Sequence, residues 1–233
     1  MEPTIMKIID LSHAIHPNIP VYPGTEQPVI TQANTIERDG FAEKKMAMYS
    51  HTATHIDAPS HILAGAKSLD QFPASHFFGQ AVLIEITQLS DPEIGIRQLA
   101  PYENQLKTAA FALLHTGWSA HWGQDQYFRG FPCLSAQAAE WLTRFPLQGI
   151  GVDTISIDHI GHDDLPAHHI LLERDIVIIE NLTNLNAIAG AAFNFSCLPL
   201  PLQDADGSPV RAVAIDPCTT RSSPFKAQDE MGG

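Results

Sequence analysis

The sequence predicts an α/β domain with a strand-rich core. Three observations carry this prediction. Apolar runs rich in Val and Ile are short and bounded by Pro, Gly, Asn or Asp, as strands are. These runs outnumber the helical patterns, which are themselves short. No internal repeat or linker-like break divides the 233 residues, which are ample for one core. A single domain is expected over residues 1–216, with a tail over 217–233 that contains Ser, Pro and Gly and frays.

The elements follow in order. Ile8 to Ile15 reads as the first strand, closed by His16-Pro17. Pro17, Pro20, Pro23 and Gly24 form a loop around Val21-Tyr22. Val29 to Ile36 and Ala42 to Tyr49 read as strands joined by a turn at Glu37-Arg38-Asp39-Gly40. A histidine run and a loop then lead to Pro73. Ala81 to Thr87 is a buried strand, Arg97 to Lys107 a helix, and Ala110 to Leu114 another buried strand before His115-Thr116-Gly117-Trp118. Ser135 is placed to cap a helix over Ala136 to Phe145. Ile150 to Ile157, Asp175 to Ile179, Phe193 to Leu200 and Val210 to Ile215 complete the strands.

Composition narrows the functional classes. Hydrophobic residues make up 44% of the chain and charged residues 17%, which is globular rather than disordered. The formal charge is −13, and no basic cluster exceeds Lys44-Lys45. Nucleic acid and anionic membranes are therefore not expected partners, because both require a basic face. Cys133, Cys197 and Cys218 are odd in number and far apart, which suits a reducing compartment and gives no disulfide framework. Met1-Glu2-Pro3-Thr4 does not begin like a signal peptide, and no apolar stretch reaches membrane length. A cytoplasmic location is the expectation.

The chemistry concentrates in His51-Thr52-Ala53-Thr54-His55-Ile56-Asp57, with His61 close behind. Neutral imidazole and carboxylate are the usual ligands of zinc and similar divalent metals. On a straight strand, rising about 3.3 Å per residue, His51 and Asp57 would lie about 20 Å apart. One ion holds its ligands at about 2 Å, so the run must curl. A helical turn would bring His51 and His55 together, and Pro59 keeps Ala58 out of the helical region. The spacing thus predicts one turn or tight curl ending near Asp57. Thr52 and Thr54 are placed to bond nearby backbone or the ligand carboxylate.

A second segment offers further donors. Glu180 closes the apolar run Ile176-Val177-Ile178-Ile179, where a carboxylate is costly unless something pairs with it. His168 and His169 add imidazoles, one facing inward and one outward, and His159 and His162 compete for the same role. Asp163-Asp164 reads as a solvated turn. Tyr22, Phe41 and Trp118 are candidates for an aromatic pocket, with core packing as the competing reading.

The run His51 to His61, ending Asp57-Ala58-Pro59-Ser60-His61, resembles the signature of the cyclase family, which includes bacterial kynurenine formamidases and isatin hydrolases. Ile9-Asp10-Leu11-Ser12-His13, Val21-Tyr22-Pro23-Gly24, Thr116-Gly117-Trp118, Gly151-Val152-Asp153-Thr154, His168-His169 and Glu180-Asn181-Leu182 are similar to weaker landmarks of that family. The resemblance implies a swivelling β/β/α-type fold and a homodimer. It implies His51, His55 and Asp57 as ligands of one divalent metal, zinc or manganese. In two-metal members Asp57 and Glu180 bridge to a second ion, which His168 also binds. His61 takes the place of the general acid/base, and Tyr22 that of a substrate-contacting Trp. Ala53 stands where the signature usually has Gly, a residue that serves backbone conformations Ala tolerates poorly.

With these residues, the resemblance implies hydrolysis of a small amide or cyclic amide. The metal acidifies water and polarises the carbonyl, and His61 moves the proton. A cyclase or lyase would share every residue named here, and a non-catalytic metal-binding module would share the ligands.

Overall fold

The structure is a computed structural model that describes residues 6–89, 91–161, 164–189 and 193–216. The apolar runs form strands β1 (Lys7–Asp10), β2 (Val29–Asn34), β3 (Glu43–Ala47), β4 (His55–Asp57), β5 (Phe78–Glu85), β6 (Glu93–Ile94) and β7 (Phe111–His115). They continue with β8 (Cys133–Leu134), β9 (Gly149–Val152), β10 (Val177–Glu180), β11 (Phe193–Ser196), β12 (Gly207–Pro209) and β13 (Val213–Asp216). Five short α-helices accompany them: α1 (Ile36–Asp39), α2 (Ile96–Leu99), α3 (Glu103–Leu106), α4 (Ala136–Leu142) and α5 (Pro166–Leu172).

Nine strands make one mixed sheet in the order β1-β13-β11-β5-β7-β9-β10-β4-β12. Its centre, β5-β7-β9-β10, is parallel, and the strands on both sides of it pair antiparallel. Parallel neighbours need crossover segments, and helices α2 to α5 occupy those crossovers. One sheet face buries Val82, Ile84, Ala112, Leu114, Ile150 and Ile178 against Ala138, Leu142, Ala167 and Leu171 of the helices. The other buries Ile56, Phe111, Val177, Ile179, Phe193 and Phe195. A strand covered on both faces is apolar at every position, which explains the unbroken runs in β7 and β10. β2 and β3 stand apart as a two-stranded ribbon whose residues are largely exposed.

Several elements differ from expectation. The first strand stops at Asp10 because the Asp10 carboxylate accepts the Ser12 amide, and His13 N–H then turns to Thr54 Oγ1. The helix expected over Arg97 to Lys107 breaks into α2, a 3-10 turn at Ala100–Tyr102 and α3, because Pro101 has no amide hydrogen. The strand from Ile150 ends at Val152, where the Asp153 carboxylate takes the Thr116 and Gly117 amides and ties the chain to the end of β7. The turn at Glu37 forms within the one-turn helix α1. Ser135 caps α4 through its hydroxyl as expected. Helix α5 and strand β12 have no counterpart in the sequence reading. The tail over 217–233 lies outside the described residues. Among the described residues no helix is long and apolar enough to cross a membrane.

Gly151 shows how tightly the sheet centre packs. A Cβ there would lie 2.6 Å from both Leu113 Cδ2 and Leu182 Cδ1. Gly151→Ala is therefore expected to destabilise the protein by about 1–3 kcal/mol, the usual cost of overpacking. Urea unfolding would show this as a lower midpoint at unchanged slope; a midpoint equal to wild type would contradict it.

Candidate metal centre

The site is built on β4, which lies between β10 and β12. Glu180 pairs with His55, and Gly207 with Asp57. Alternate residues of a strand share a face, so His55 and Asp57 point the same way while Ile56 enters the core beneath them. Residues directly opposite across an antiparallel pair also share a face, which places Glu180 beside His55. His55 Nε2 lies 3.3 Å from Asp57 Oδ1 and 3.5 Å from Glu180 Oε2.

His51 reaches this strand by a tight curl, and the helical-turn form of the expectation is not what forms. His55 and Asp57 are extended, and the reversal is made at Ala53, which adopts the left-handed conformation at φ 57. Ala53 thus takes a conformation that Gly adopts freely and that costs an L-residue roughly 1–2 kcal/mol. Thr52 and Thr54 hold the curl through backbone only: their hydroxyls donate to Tyr49 O and Asn181 O. The curl brings His51 Nδ1 to 2.6 Å from Asp57 Oδ1. Pro59 opens a 3-10 turn that carries His61 back over His51, with ring centroids 3.9 Å apart.

His168 arrives on the first turn of α5 and is buried, while His169 lies half outside. Its Nε2 lies 3.4 Å from Glu180 Oε1 and 3.8 Å from Asp57 Oδ2. The structure thus selects His168 from the histidines of that segment. His159 is exposed and lies 3.2 Å from Cys133 Sγ, and His162 and Asp163 lie outside the described residues. Asp164 is exposed. Of the candidate aromatics, only Tyr22 lines the cavity. Phe41 is exposed, and Trp118 packs on the cluster of Tyr127, Phe131, Cys133 and Ile155.

These residues fit a metal by their own chemistry. His55 Nδ1 is 2.9 Å from Ala53 O, and His168 Nδ1 is 2.7 Å from Asp158 Oδ2. Each ring therefore turns Nδ1 outward to an acceptor and Nε2 inward, the orientation that an outer acceptor gives a metal-binding imidazole. Asp57 Oδ2 is buried and accepts no hydrogen bond. A buried carboxylate oxygen left so is costly unless a cation engages it. His51, His55 and Asp57 form one group whose ligand atoms lie within 4.8 Å of one another, and Asp57, His168 and Glu180 form a second. His51, His61 and Asp206 make a third.

The charges agree with this. Burial lowers the His51 pKa, but the Asp57 carboxylate and then Asp206 carry it up to about 9. Burial likewise opposes His168, and its bonds to Asp158 and Glu180 raise it to about 10. Burial would raise Asp57, yet His55 and His51 hold it well below the ordinary carboxylate range.

Sequence reasoning missed three contributors. Asp158 accepts the amides of Ala167 and His168 as well as the His168 ring. Asn181 Nδ2 donates to Ala53 O at 2.9 Å. Asp206 Oδ2 lies 3.0 Å from His51 Nε2. Asp158 and Asp206 look like ordinary turn residues in sequence; no spacing rule links Asp158 to His168 ten residues on, and Asp206 lies 155 residues from His51.

Comparison with known proteins agrees with the geometry. The Cyclase family profile matches residues 9–159. A kynurenine formamidase of Bacillus cereus is 34% identical over 206 residues, covering 88% of this chain and 95% of the relative. The structure of isatin hydrolase A from Labrenzia aggregata, bound to benzyl benzoate, superposes with a TM-score of 0.81 at 24% identity, covering 91% of this chain and 94% of the other. A predicted metal-dependent hydrolase from Bacillus stearothermophilus superposes with a TM-score of 0.76 at 27% identity, covering 91% and 99%.

At pH 7.5 the metal-free protein carries protons on His51 and His168, since that pH lies below about 9 and about 10. A nitrogen must lose its proton to bind a metal, so binding zinc is expected to release protons, and affinity to rise as pH climbs toward 9–10. Calorimetry in buffers of different ionisation enthalpy measures the release directly. A heat that does not depend on the buffer would refute it.

Proposed function

The chain belongs to the cyclase family, and from that premise we propose that it hydrolyses a small amide or cyclic amide, such as an aryl formamide or isatin, with one or two zinc or manganese ions per subunit. The observation that carries this reading is the buried Asp57 Oδ2, which accepts no hydrogen bond among the described residues, set among three imidazoles and Glu180. His51, His55 and Asp57 would hold one ion, and Asp57, His168 and Glu180 a second. A divalent metal there supplies Lewis acidity toward the amide carbonyl and acidifies water.

The chain's own residues supply the rest. His61 overhangs the ligands as the general acid/base: it takes a proton from the attacking water and returns it to the leaving nitrogen. Its Nδ1 lies 3.7 Å from Asp206 Oδ2, leaving Nε2 to exchange the proton. Burial lowers the His61 pKa; Asp57 opposes the drop, and His51 and His168 add to it. A base so placed is neutral, and able to accept, across the neutral range.

A cavity of about 300 Å³ opens over these groups, lined also by Tyr22, Tyr49, Ile155 and Leu165. Aromatic and aliphatic walls with polar groups at one end suit a small ring-bearing amide. Tyr22 is the substrate-contacting residue in this reading. Buried free thiols at Cys133 and Cys197 suit a cytoplasmic location.

Purified protein with zinc or manganese is expected to turn over N-formylkynurenine or isatin, and Asp57→Ala to lose that activity. His61→Ala should keep its metal and lose about 10²–10⁴-fold in kcat. The acid limb of kcat/KM should fall below pH 6.5, the ordinary histidine value, and vanish in His61→Ala. Bound metal without turnover of either compound would move the reaction to another small amide, lactone or lyase substrate. Loss of metal in His61→Ala would make that residue a ligand.

A homodimer is the assembly proposed. The ribbon β2–β3 and the turn between its strands expose Val29, Ile36, Phe41 and Met46, and pocket residues Tyr22 and Tyr49 flank it. A lone two-stranded ribbon that exposes such side chains is stable when a second copy covers it. Sedimentation should give a dimer, shifted toward monomer by Val29→Asp with Met46→Asp; a monomeric wild type would exclude this assembly.

A further inference from the structure

Asp206 stands immediately before β12, and nothing in the proposed ligand set uses it. Its place is set by the sheet. Gly207 pairs with Asp57, and Asp206 O accepts the Ala58 amide at 2.8 Å. The backbone holding this carboxylate is therefore bonded to the strand that carries the ligands. The carboxylate itself is half-exposed, and its Oδ2 lies 3.0 Å from His51 Nε2 and 3.7 Å from His61 Nδ1.

His51 differs from the other two imidazoles. His55 and His168 turn Nδ1 outward, to Ala53 O and to Asp158. His51 turns Nδ1 inward, 2.6 Å from Asp57 Oδ1, and Nε2 outward to Asp206. An imidazole that gives one nitrogen to a cation keeps its hydrogen on the other, and the outer acceptor decides which. The ring also has little room to turn: a Cβ on Gly207 would lie 2.5 Å from His51 Cε1, so the imidazole lies directly against that backbone.

We propose that Asp206 is a positioning residue: it holds the His51 hydrogen on Nε2, so that Nδ1 is the nitrogen offered beside Asp57 and His55. The proposal rests on the metal reading above. The His61 ring, tilted 34° with its centroid 3.9 Å from that of His51, packs against the imidazole so held.

The test compares Asp206→Leu with Asp206→Asn, two side chains of similar size of which only Asn keeps an acceptor. Metal is stripped with a chelator, and the affinity for Zn²⁺ and for Mn²⁺ is read by competition with a chromophoric chelator, without substrate. Asp206→Leu should weaken the tightest ion about 10–100-fold, and Asp206→Asn should recover most of that loss. If Asp206→Leu fails to fold, Asp206→Ala replaces it. Wild-type affinity in the acceptor-free variant would overturn the proposal. Equal losses in both variants would also overturn it, making Asp206 a ligand or a merely structural residue. Failure of the wild type to bind either ion would instead sink the metal reading itself, so the two failures are distinguishable.

Discussion

The site depends on one constraint: β4, three residues long and wholly buried, is paired along both edges. Two of its three residues are ionisable. A buried ion pair is held against a desolvation penalty of several kcal/mol per ion, which only close and complete pairing offsets. The antiparallel register with β10 supplies Glu180 opposite His55, and the register with β12 supplies Gly207 opposite Asp57. A slip of one residue in either pairing would send His55 and Asp57 into the apolar face that now receives Ile56. The register that buries Ile56 is therefore also the one that assembles the candidate ligands.

The rest of the sheet delivers donors to that point. The parallel strands run toward one end, where sheets of this kind place their ligands, and Glu180 closes β10 there. Helix α5 enters from the same crossover layer with His168 on its first turn. Its amino end is anchored by Asp158, which accepts the Ala167 and His168 amides and the His168 ring nitrogen. One carboxylate thus satisfies otherwise unpaired helix amides and orients the His168 ring. Burial opposes ionisation of Asp158, yet its bonds to His168 and Ala167 hold its pKa below the ordinary value.

The parts legible in the sequence are those with a local period or a local motif. Buried strands β7 and β10 are visible as unbroken apolar runs, and α4 through its Ser135 cap. His51, His55, Asp57 and His61 stand within one short run, so the need for a curl follows from ligand distances alone. The form of the curl does not, because the left-handed turn at Ala53 depends on contacts with Asn181, far along the chain. β12 is too short to show an alternation, and Pro209 within it argues against a strand. Asp206 gains its meaning from a pairing with His51 across the fold, which no sequence window contains, and Asp158 from the turn that brings it under His168, which no local period marks. Helix α5 was obscured by its content: Pro166 followed by two histidines reads as a ligand segment before it reads as a first turn.

Ala53 joins the strained and the functional parts of this chain. Its left-handed backbone turns its carbonyl toward the site, where it accepts both the His55 ring and the Asn181 amide. Asn181 is itself left-handed at φ 58, and its Oδ1 accepts the hydroxyl of the buried Tyr127 at 2.8 Å. Two unfavourable backbone conformations thus face each other and are held by one short chain of hydrogen bonds. The Ala53 conformation costs about 1–2 kcal/mol in isolation, while Asn adopts it more readily. Relaxing Ala53 would release the acceptor that fixes His55, the imidazole positioned between Asp57 and Glu180. The strain is therefore the means by which a three-residue strand presents the His55 Nε2 in one orientation, toward Asp57 and Glu180.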